Sequence, residues 1–452
     1  MVFSMTKKYE LTDFFSQNSC DLCGLCLERC PVLNYEHEKA KSEMKKLINK
    51  IYYDSEVVKK CQSCFSCNLY CPNECNPYEL VLYNWYISHE EKGIPSFGRI
   101  VFPNQKLNLW NSMYYLISEE ERQIIDRWKG ELKGDILLTG CFTQIFPYLT
   151  KSELLDKLKP RGTECLWCNG GHIYQLGLFN IVNQIGKKSE NNFKDKSINK
   201  IITFMEAEFS MLERILPKFG YSFDHLEVET LTQWLLNEIK GGEIELKKRL
   251  NFSITIHDNC FAKENGTEFC NLNRKLAKKT GVKLIEMDHN KENALCCGFG
   301  AGSYSYSVFS IMKQAKVRFE EAKKTGANAL VVYCSACLFI LSAAKQVLDF
   351  DMPIFHIFEL VQMSAGERPI HNWKDRAWNL ISIFTYQLIK TLLSKRFKLA
   401  SIEKQEPDIL TEIDFKILKL MDYLFKNSIV KKSYVNLFKI INLILKRLNI
   451  SI

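Results

Sequence analysis

The chain has 452 residues, 46% hydrophobic and 25% charged, room for two to four domains, and this composition excludes disordered and collagen-like classes. No run reaches the roughly 18 to 20 apolar residues of a membrane span, and MVFSMTKKYELTDFF lacks the order of a secretory signal, so a cytoplasmic protein with reduced thiols is expected. The net charge of +9 is concentrated after residue 370, where fifteen Lys/Arg face seven Asp/Glu, and this points to an anionic surface or acidic partner rather than nucleic acid.

In chain order, residues 1–95 hold nine cysteines among short helical patterns such as Glu36–Lys50. Residues 96–131 read as a helical connection. From Asp135, short apolar runs alternate with helical segments, as parallel strands with crossover helices do, the runs being Ile136–Thr139, Lys200–Phe204, Ser253–His257, Val282–Met287 and Ala329–Tyr333. This region repeats. Cys141 lines up with Cys260, Cys168-Asn169 with Cys296-Cys297, Lys200 with Ala329 and Asp224 with Phe355, at offsets of 119, 128, 129 and 131 residues. Two related α/β halves follow, 132–249 and 250–366, and then a basic helical extension over 367–452. The expected fold is mixed α and α/β.

Eighteen cysteines in a reducing compartment point to metal rather than disulfides. Cys20-x-x-Cys23-x-x-Cys26-x-x-x-Cys30-Pro31 is repeated as Cys61-x-x-Cys64-x-x-Cys67-x-x-x-Cys71-Pro72. In two-cluster ferredoxins the cysteine before the proline ligates the other cluster. Cys20, Cys23, Cys26 and Cys71 are therefore expected to hold one [4Fe–4S] cubane, and Cys61, Cys64, Cys67 and Cys30 a second. Zinc does not call for such doubled spacing with paired prolines. Cys75 has no place in the pattern and reads as a packed thiol.

The second α/β half carries Cys260, the tandem pair Cys296-Cys297 and Cys334-x-x-Cys337. A tandem pair chelates one iron poorly but suits a larger cluster, and five thiolates exceed the four of a cubane. Gly298 and Gly300 let backbone approach that site.

These motifs resemble the heterodisulfide reductase catalytic family, in the form that fuses a helical ferredoxin-like N-terminal domain to two CCG α/β repeats, over about residues 10–365. That family includes iron–sulfur subunits of methanogen heterodisulfide reductase, of membrane complexes in sulfur metabolism, and of glycerol-3-phosphate, glycolate and lactate oxidation. The resemblance implies that Cys260, Cys296, Cys297, Cys334 and Cys337 hold a noncubane [4Fe–4S] cluster that meets a disulfide. The first half departs from the pattern: the tandem pair is Cys168-Asn169, and the closing Cys-x-x-Cys is Met205-x-x-Glu208. It is expected to have lost its cluster and to serve as scaffold and pocket wall, leaving three clusters. A mononuclear metal on Cys141, Cys165, Cys168 and Glu208 is the alternative for this half.

His257, beside Cys260, is a candidate proton donor or turn cap. His225 and His356 occupy matched repeat positions and suggest packing, whereas His37 and His89 read as solvated. Lys263, Lys291 and Arg318 could meet an acidic substrate or partner, but surface charges are common and no role is assigned to them. With no G-x-G-x-x-G after a strand, the chain reads as one subunit of a redox complex with a membrane cytochrome or flavoprotein. Its substrate would be a disulfide, small molecule or protein, and no nucleic acid is expected. The rival reading is an electron relay from a flavoprotein dehydrogenase to quinone or cytochrome, with no disulfide.

The tail adds a final expectation. Helix Ser433–Ile450 sets Asn436, Lys439, Asn442, Lys446 and Asn449 on a narrow polar stripe. Its apolar face (Val435, Leu437, Phe438, Ile441, Ile444, Leu445, Leu448) needs a cover. With a second helix over Asn379–Phe397, this points to peripheral membrane contact on the inner face, through lipid or an integral partner.

Overall fold

The computed structural model describes residues 8–162, 168–403, 405–406 and 408–447. Cys165, Leu448 and Asn449, and the side chains of Asn442, Leu445 and Lys446, lie outside the described set.

Residues 8–100 form short helices wound around loops, with one long helix, Pro77–Lys92, at their centre. Pro77 opens it at a position whose N–H has no partner in any helix. Trp85, Leu80, Leu82 and Asn84 on different sides of it are all buried, so it is a central post rather than a surface helix. Helix His37–Ile48 packs on it through Ala40, Met44 and Leu47. His89, expected to be solvated, is buried at 4% exposure between Tyr304 and Tyr306, where aromatic packing overrides the charged neighbours in its run. His37 is exposed and pairs with Glu28 at 3.0 Å.

Two four-stranded parallel sheets follow. The first contains β1 (Lys133–Leu138), β2 (Lys159–Arg161), β3 (Ser197–Thr203) and β4 (Glu227–Thr230). The second contains β5 (Ser253–His257), β6 (Lys283–Leu284), β7 (Ala329–Val332) and β8 (Ile354–His356). The strand orders are β2-β1-β3-β4 and β6-β5-β7-β8, so the repeat seen in sequence is a repeat of topology. The inner strands carry unbroken apolar runs, Ile136-Leu137-Leu138 and Ala329 to Val332, because helices cover both faces of a parallel sheet. β2, β4, β6 and β8 are edge strands of two to four residues, too short to show in the pattern, and of the expected Val282–Met287 only Lys283–Leu284 pairs.

The structure shifts the fourth repeat correspondence by five residues. His356 caps the helix Ile357–Ala365, and Thr230 caps its counterpart Leu231–Gly241, each in a reciprocal capping box. His356 thus matches Thr230, while His225 is exposed.

Three helices complete the chain: Trp373–Thr391, Ile409–Leu424 and Ser428–Arg447. The first starts six residues before its expected position and is anchored by a buried ion pair between Arg376 and Glu121. Beyond it, Phe397 bridges back to Ile94. Among the described residues no helix is long and apolar enough to cross a membrane.

Candidate functional site

The first thiol group forms where the two ferredoxin-like loops meet. Cys20, Cys23, Cys26 and Cys71, distant in sequence, line one small cavity together with Met44 and Cys75. Burial, then the neighbouring Cys71 thiol, raises Cys26. Cys75 is more than packing: its N–H donates to Cys71 Sγ at 3.3 Å, and burial followed by Cys71 pushes its own thiol up to about 12.

Cys30, Cys61, Cys64 and Cys67 form the second group. Burial and then the Cys64 thiol raise both Cys61 and Cys30, the latter to about 11. Cys67 feels Cys61 of its own group and Cys26 of the first, so the two groups are neighbours. A buried cation sits beside this group: Lys263 Nζ donates to Ser66 Oγ at 2.9 Å and to Ala294 O at 2.7 Å. Burial works against a Cys64 thiolate, but Lys263 and Ser66 outweigh it and hold Cys64 below the usual thiol range.

The third group stands at the carboxyl ends of β5, β6 and β7, where open α/β sheets place their ligands. Cys260 opens the helix Cys260–Glu264, capped by Asn259, whose Oδ1 accepts from Ala262 N at 2.9 Å. Cys296 and Cys297 follow β6, while Cys334 and Cys337 sit at the start of helix Ser335–Leu348. Two glycine N–H groups, Gly298 and Gly300, donate to Cys296 Sγ at 3.3 and 3.2 Å. Gly298 has φ +122°, and a Cβ there would lie 2.5 Å from Ile311 O. At Gly300 a Cβ would lie 2.0 Å from Gln62 O, so only glycine lets the second ferredoxin-like loop close on this site.

His257, last residue of β5, has a ring nitrogen within 4.8 Å of Cys297 and Cys337 sulfurs, all three residues being buried. Its Nδ1 accepts from Arg318 Nε at 3.2 Å, which leaves Nε2 as the N–H. Burial first, and then Arg318 against the opposing pull of Cys297, lowers the histidine. Next to it, Asp258 is locked by both terminal nitrogens of Arg274 at 2.8 Å and by Tyr333 Oη at 2.7 Å, fixing the strand end. The neighbouring Cys296, Cys337 and His257 side chains hold Cys297 well below the usual thiol range, while burial and then Cys334 push Cys260 up to about 12.

Gln175 ties the second group to the third. Its Nε2 donates to Ser63 O at 2.9 Å and to Cys260 Sγ at 3.0 Å. Phe65 and Phe261 make a tilted ring contact with centroids 5.2 Å apart. Gln175, Lys263 and the Arg318–His257 contact are assembled by packing between segments distant in the chain, and spacing offers no signal for them. Arg318 is buried and pairs with Glu321, so it is not a free surface charge, whereas Lys291 contributes its backbone N–H to Asp258 at 2.7 Å.

In the first half Cys141 and Cys168 lie 3.7 Å apart, with His172 close by. Asn169 and Met205 are buried at positions matched to Cys297 and Cys334. A cavity of about 930 Å³ opens beside Cys141, lined in part by Trp110, Gln144, Gln184 and Lys187.

Three sets of soft, buried or half-buried thiol donors, two of four and one of five, are the ligand chemistry of iron–sulfur clusters, and the residues fit that group. Residues 254–342 match the cysteine-rich (CCG) domain family. The chain is similar to iron–sulfur proteins of the heterodisulfide reductase-like kind, and this similarity supports an oxidoreductase component that carries electrons. Across 404 residues it is 24% identical to a subunit of the dihydromethanophenazine:CoB–CoM heterodisulfide reductase of Methanosarcina barkeri, covering 80% of this chain and 97% of the relative. It is also 22% identical to the EtfAB:quinone oxidoreductase of Syntrophomonas wolfei, over 77% of this chain and 58% of that one. A subunit of the fumarate reductase (CoM/CoB) of Methanothermobacter marburgensis is 22% identical over 80% of this chain and 75% of its own length.

Proposed function

We propose that the chain is the subunit in which electrons cross two [4Fe–4S] cubanes to a noncubane [4Fe–4S] site that reduces, or in reverse forms, a disulfide. The reading rests chiefly on the unbroken sequence of thiol groups, from Cys26 beside Cys67 to Ser63–Gln175–Cys260. When bound, the clusters supply one-electron transfer and, at the third site, a place where both sulfurs of a disulfide are met. The protein's own residues do the rest. Lys263 offsets the negative charge of the second thiolate set, while Gln175 holds the loop of that set against Cys260. His257 keeps its proton on Nε2, with a ring nitrogen within 4.8 Å of the Cys297 and Cys337 sulfurs, because Arg318 at Nδ1 puts a cation where an imidazolium proton would go.

The named relatives include subunits of larger reductases, which supports partner subunits here, with a membrane cytochrome or flavoprotein as donor. The C-terminal helices supply the contact surface. Tyr434 and Phe438 face inward on Phe425 and Phe309. Leu437, Ile440, Leu443 and Ile444 remain about half or more exposed, as do Ile409, Leu410 and Leu420 of the neighbouring helix. An apolar surface of this extent in a basic extension suits peripheral attachment to a membrane or an integral subunit.

Iron and acid-labile sulfide analysis of anaerobically purified protein tests the proposal: about twelve irons per chain are expected from three four-iron clusters. About eight would remove the third site, and about sixteen would mean that the first half still binds a cluster. A relay without a disulfide substrate would carry the same iron but give no response to thiols.

A further inference from the structure

The first α/β half is not an empty copy of the second. Its residues Cys141, Cys168 and His172 offer two sulfurs and a ring nitrogen that all lie within 4.8 Å of one another, all buried. The separations suit one small ion. Zinc–thiolate bonds of about 2.3 Å at a tetrahedral angle set the two sulfurs about 3.8 Å apart, and a zinc–imidazole bond of about 2.0 Å sets sulfur and nitrogen about 3.5 Å apart. The structure has 3.7 Å between Cys141 Sγ and Cys168 Sγ, and 3.9 Å between Cys168 Sγ and His172 Nδ1. A disulfide would bring the sulfurs to about 2.05 Å.

The surroundings orient these groups as a metal site does. His172 Nε2–H donates to Val101 O at 2.8 Å, which leaves Nδ1 as the free lone pair aimed at the sulfurs. Gly170 N–H donates to Cys168 Sγ at 3.3 Å, and Trp110 Nε1 donates to the Cys141 carbonyl at 2.6 Å. Glu208 follows β3 at the position matched to Cys337. Its side chain is buried, packs against Gly140, and leaves Oε2 without a hydrogen-bond partner. A buried carboxylate with an unpartnered oxygen beside two thiols is costly unless it has a cation to meet.

The same substitutions argue against a cluster here. With Cys141 and Cys168 alone kept from the five-cysteine pattern, two described thiolates remain. The imidazole of His172 stands at the position matched to Gly300, where the second half has no side chain at all. The cavity beside Cys141 gives an ion a way in.

We propose that the first half holds a single zinc ion on Cys141, Cys168 and His172, with the Glu208 carboxylate as fourth ligand. The site is independent of whether the third thiol group reduces a disulfide.

Metal analysis of full-length protein, purified anaerobically and passed over a chelating resin, should return about one zinc per chain beside the cluster iron. Cys141→Ser and His172→Ala should each lower zinc at least about tenfold while iron stays at the wild-type level. Cobalt(II) supplied during expression of the wild-type chain should give thiolate-to-cobalt charge transfer and the intense visible bands of a tetrahedral ion, so the test does not depend on either variant folding. Zinc below about a tenth per chain with no such cobalt spectrum would overturn the proposal. So would zinc retained in both variants, iron that is lost with Cys141, or a Cys141–Cys168 disulfide found by alkylation and mass spectrometry.

Discussion

Arg318 donates from Nε to the Nδ1 of His257 at 3.2 Å, and this contact decides which face the histidine turns to the cysteines. Arginine stays charged, so the ring is held neutral with its proton on Nε2, toward Cys297 and Cys337. A polarised N–H close to cluster sulfurs stabilises a more reduced cluster. His257→Leu is expected to keep its iron but to lower the midpoint potential of the third centre by tens of millivolts, read by paramagnetic resonance during a redox titration. An unchanged potential would remove His257 from the site's electrostatics.

Glu264 gives a pH signature to the whole fold. Burial first, and then the nearby Glu79 carboxylate, raises it to about 7, even though Lys218 lies 3.8 Å away. The folded chain therefore holds a proton that the unfolded chain releases near the ordinary value of 4.5. Stability from this group is complete below that value and is lost as pH rises toward about 7. Glu264→Gln should remove this loss, gaining about 2–3 kcal/mol relative to wild type at pH 7.5 and little at pH 4.5. Denaturant unfolding at the two pH values checks it, and an equal effect at both would contradict the assignment.

Deleting residues 426–452 should shift the protein from the membrane fraction to the soluble fraction with its iron intact. The inward residues of the last helix make few large contacts, Phe438 on Phe309 at 5.5 Å and Tyr434 on Phe425 at 5.1 Å among them. Ile429, Leu437, Ile440, Leu443 and Ile444 on the same helix face outward. Fractionation followed by iron assay decides the point, and iron loss or aggregation would show that the helix belongs to the core.

The grouping of the cysteines was legible in the sequence because a regular spacing marks each set: two residues between neighbours, a proline after the fourth, and a tandem pair. The doubled α/β half was legible for a similar reason, since strand ends and helix starts recur at steady intervals. Edge strands such as β2 and β6 were not, because two or three residues carry no period. The offset of 131 aligned His225 with His356 on a shared histidine, whereas the backbone aligns the two helix caps, Thr230 with His356. His89 was misjudged because its burial depends on Tyr304 and Tyr306, two hundred residues away. Gln175 and Lys263 were not visible as bridges for the same reason: their partners come from the ferredoxin-like loops, and only packing brings them together.

The central claim, that the third thiol group is where a disulfide is reduced, is tested most directly by adding thiol to the oxidised, iron-loaded protein and recording its paramagnetic spectrum. A new thiol-dependent signal is predicted in the wild-type chain. In Cys297→Ser the signal should be absent and disulfide turnover abolished, while reduction of the two ferredoxin-like centres is unaffected, because a serine hydroxyl replaces soft thiolate poorly on iron. A fully loaded protein that gives no thiol-dependent signal, or a Cys297→Ser variant that keeps both signal and turnover, would contradict the account.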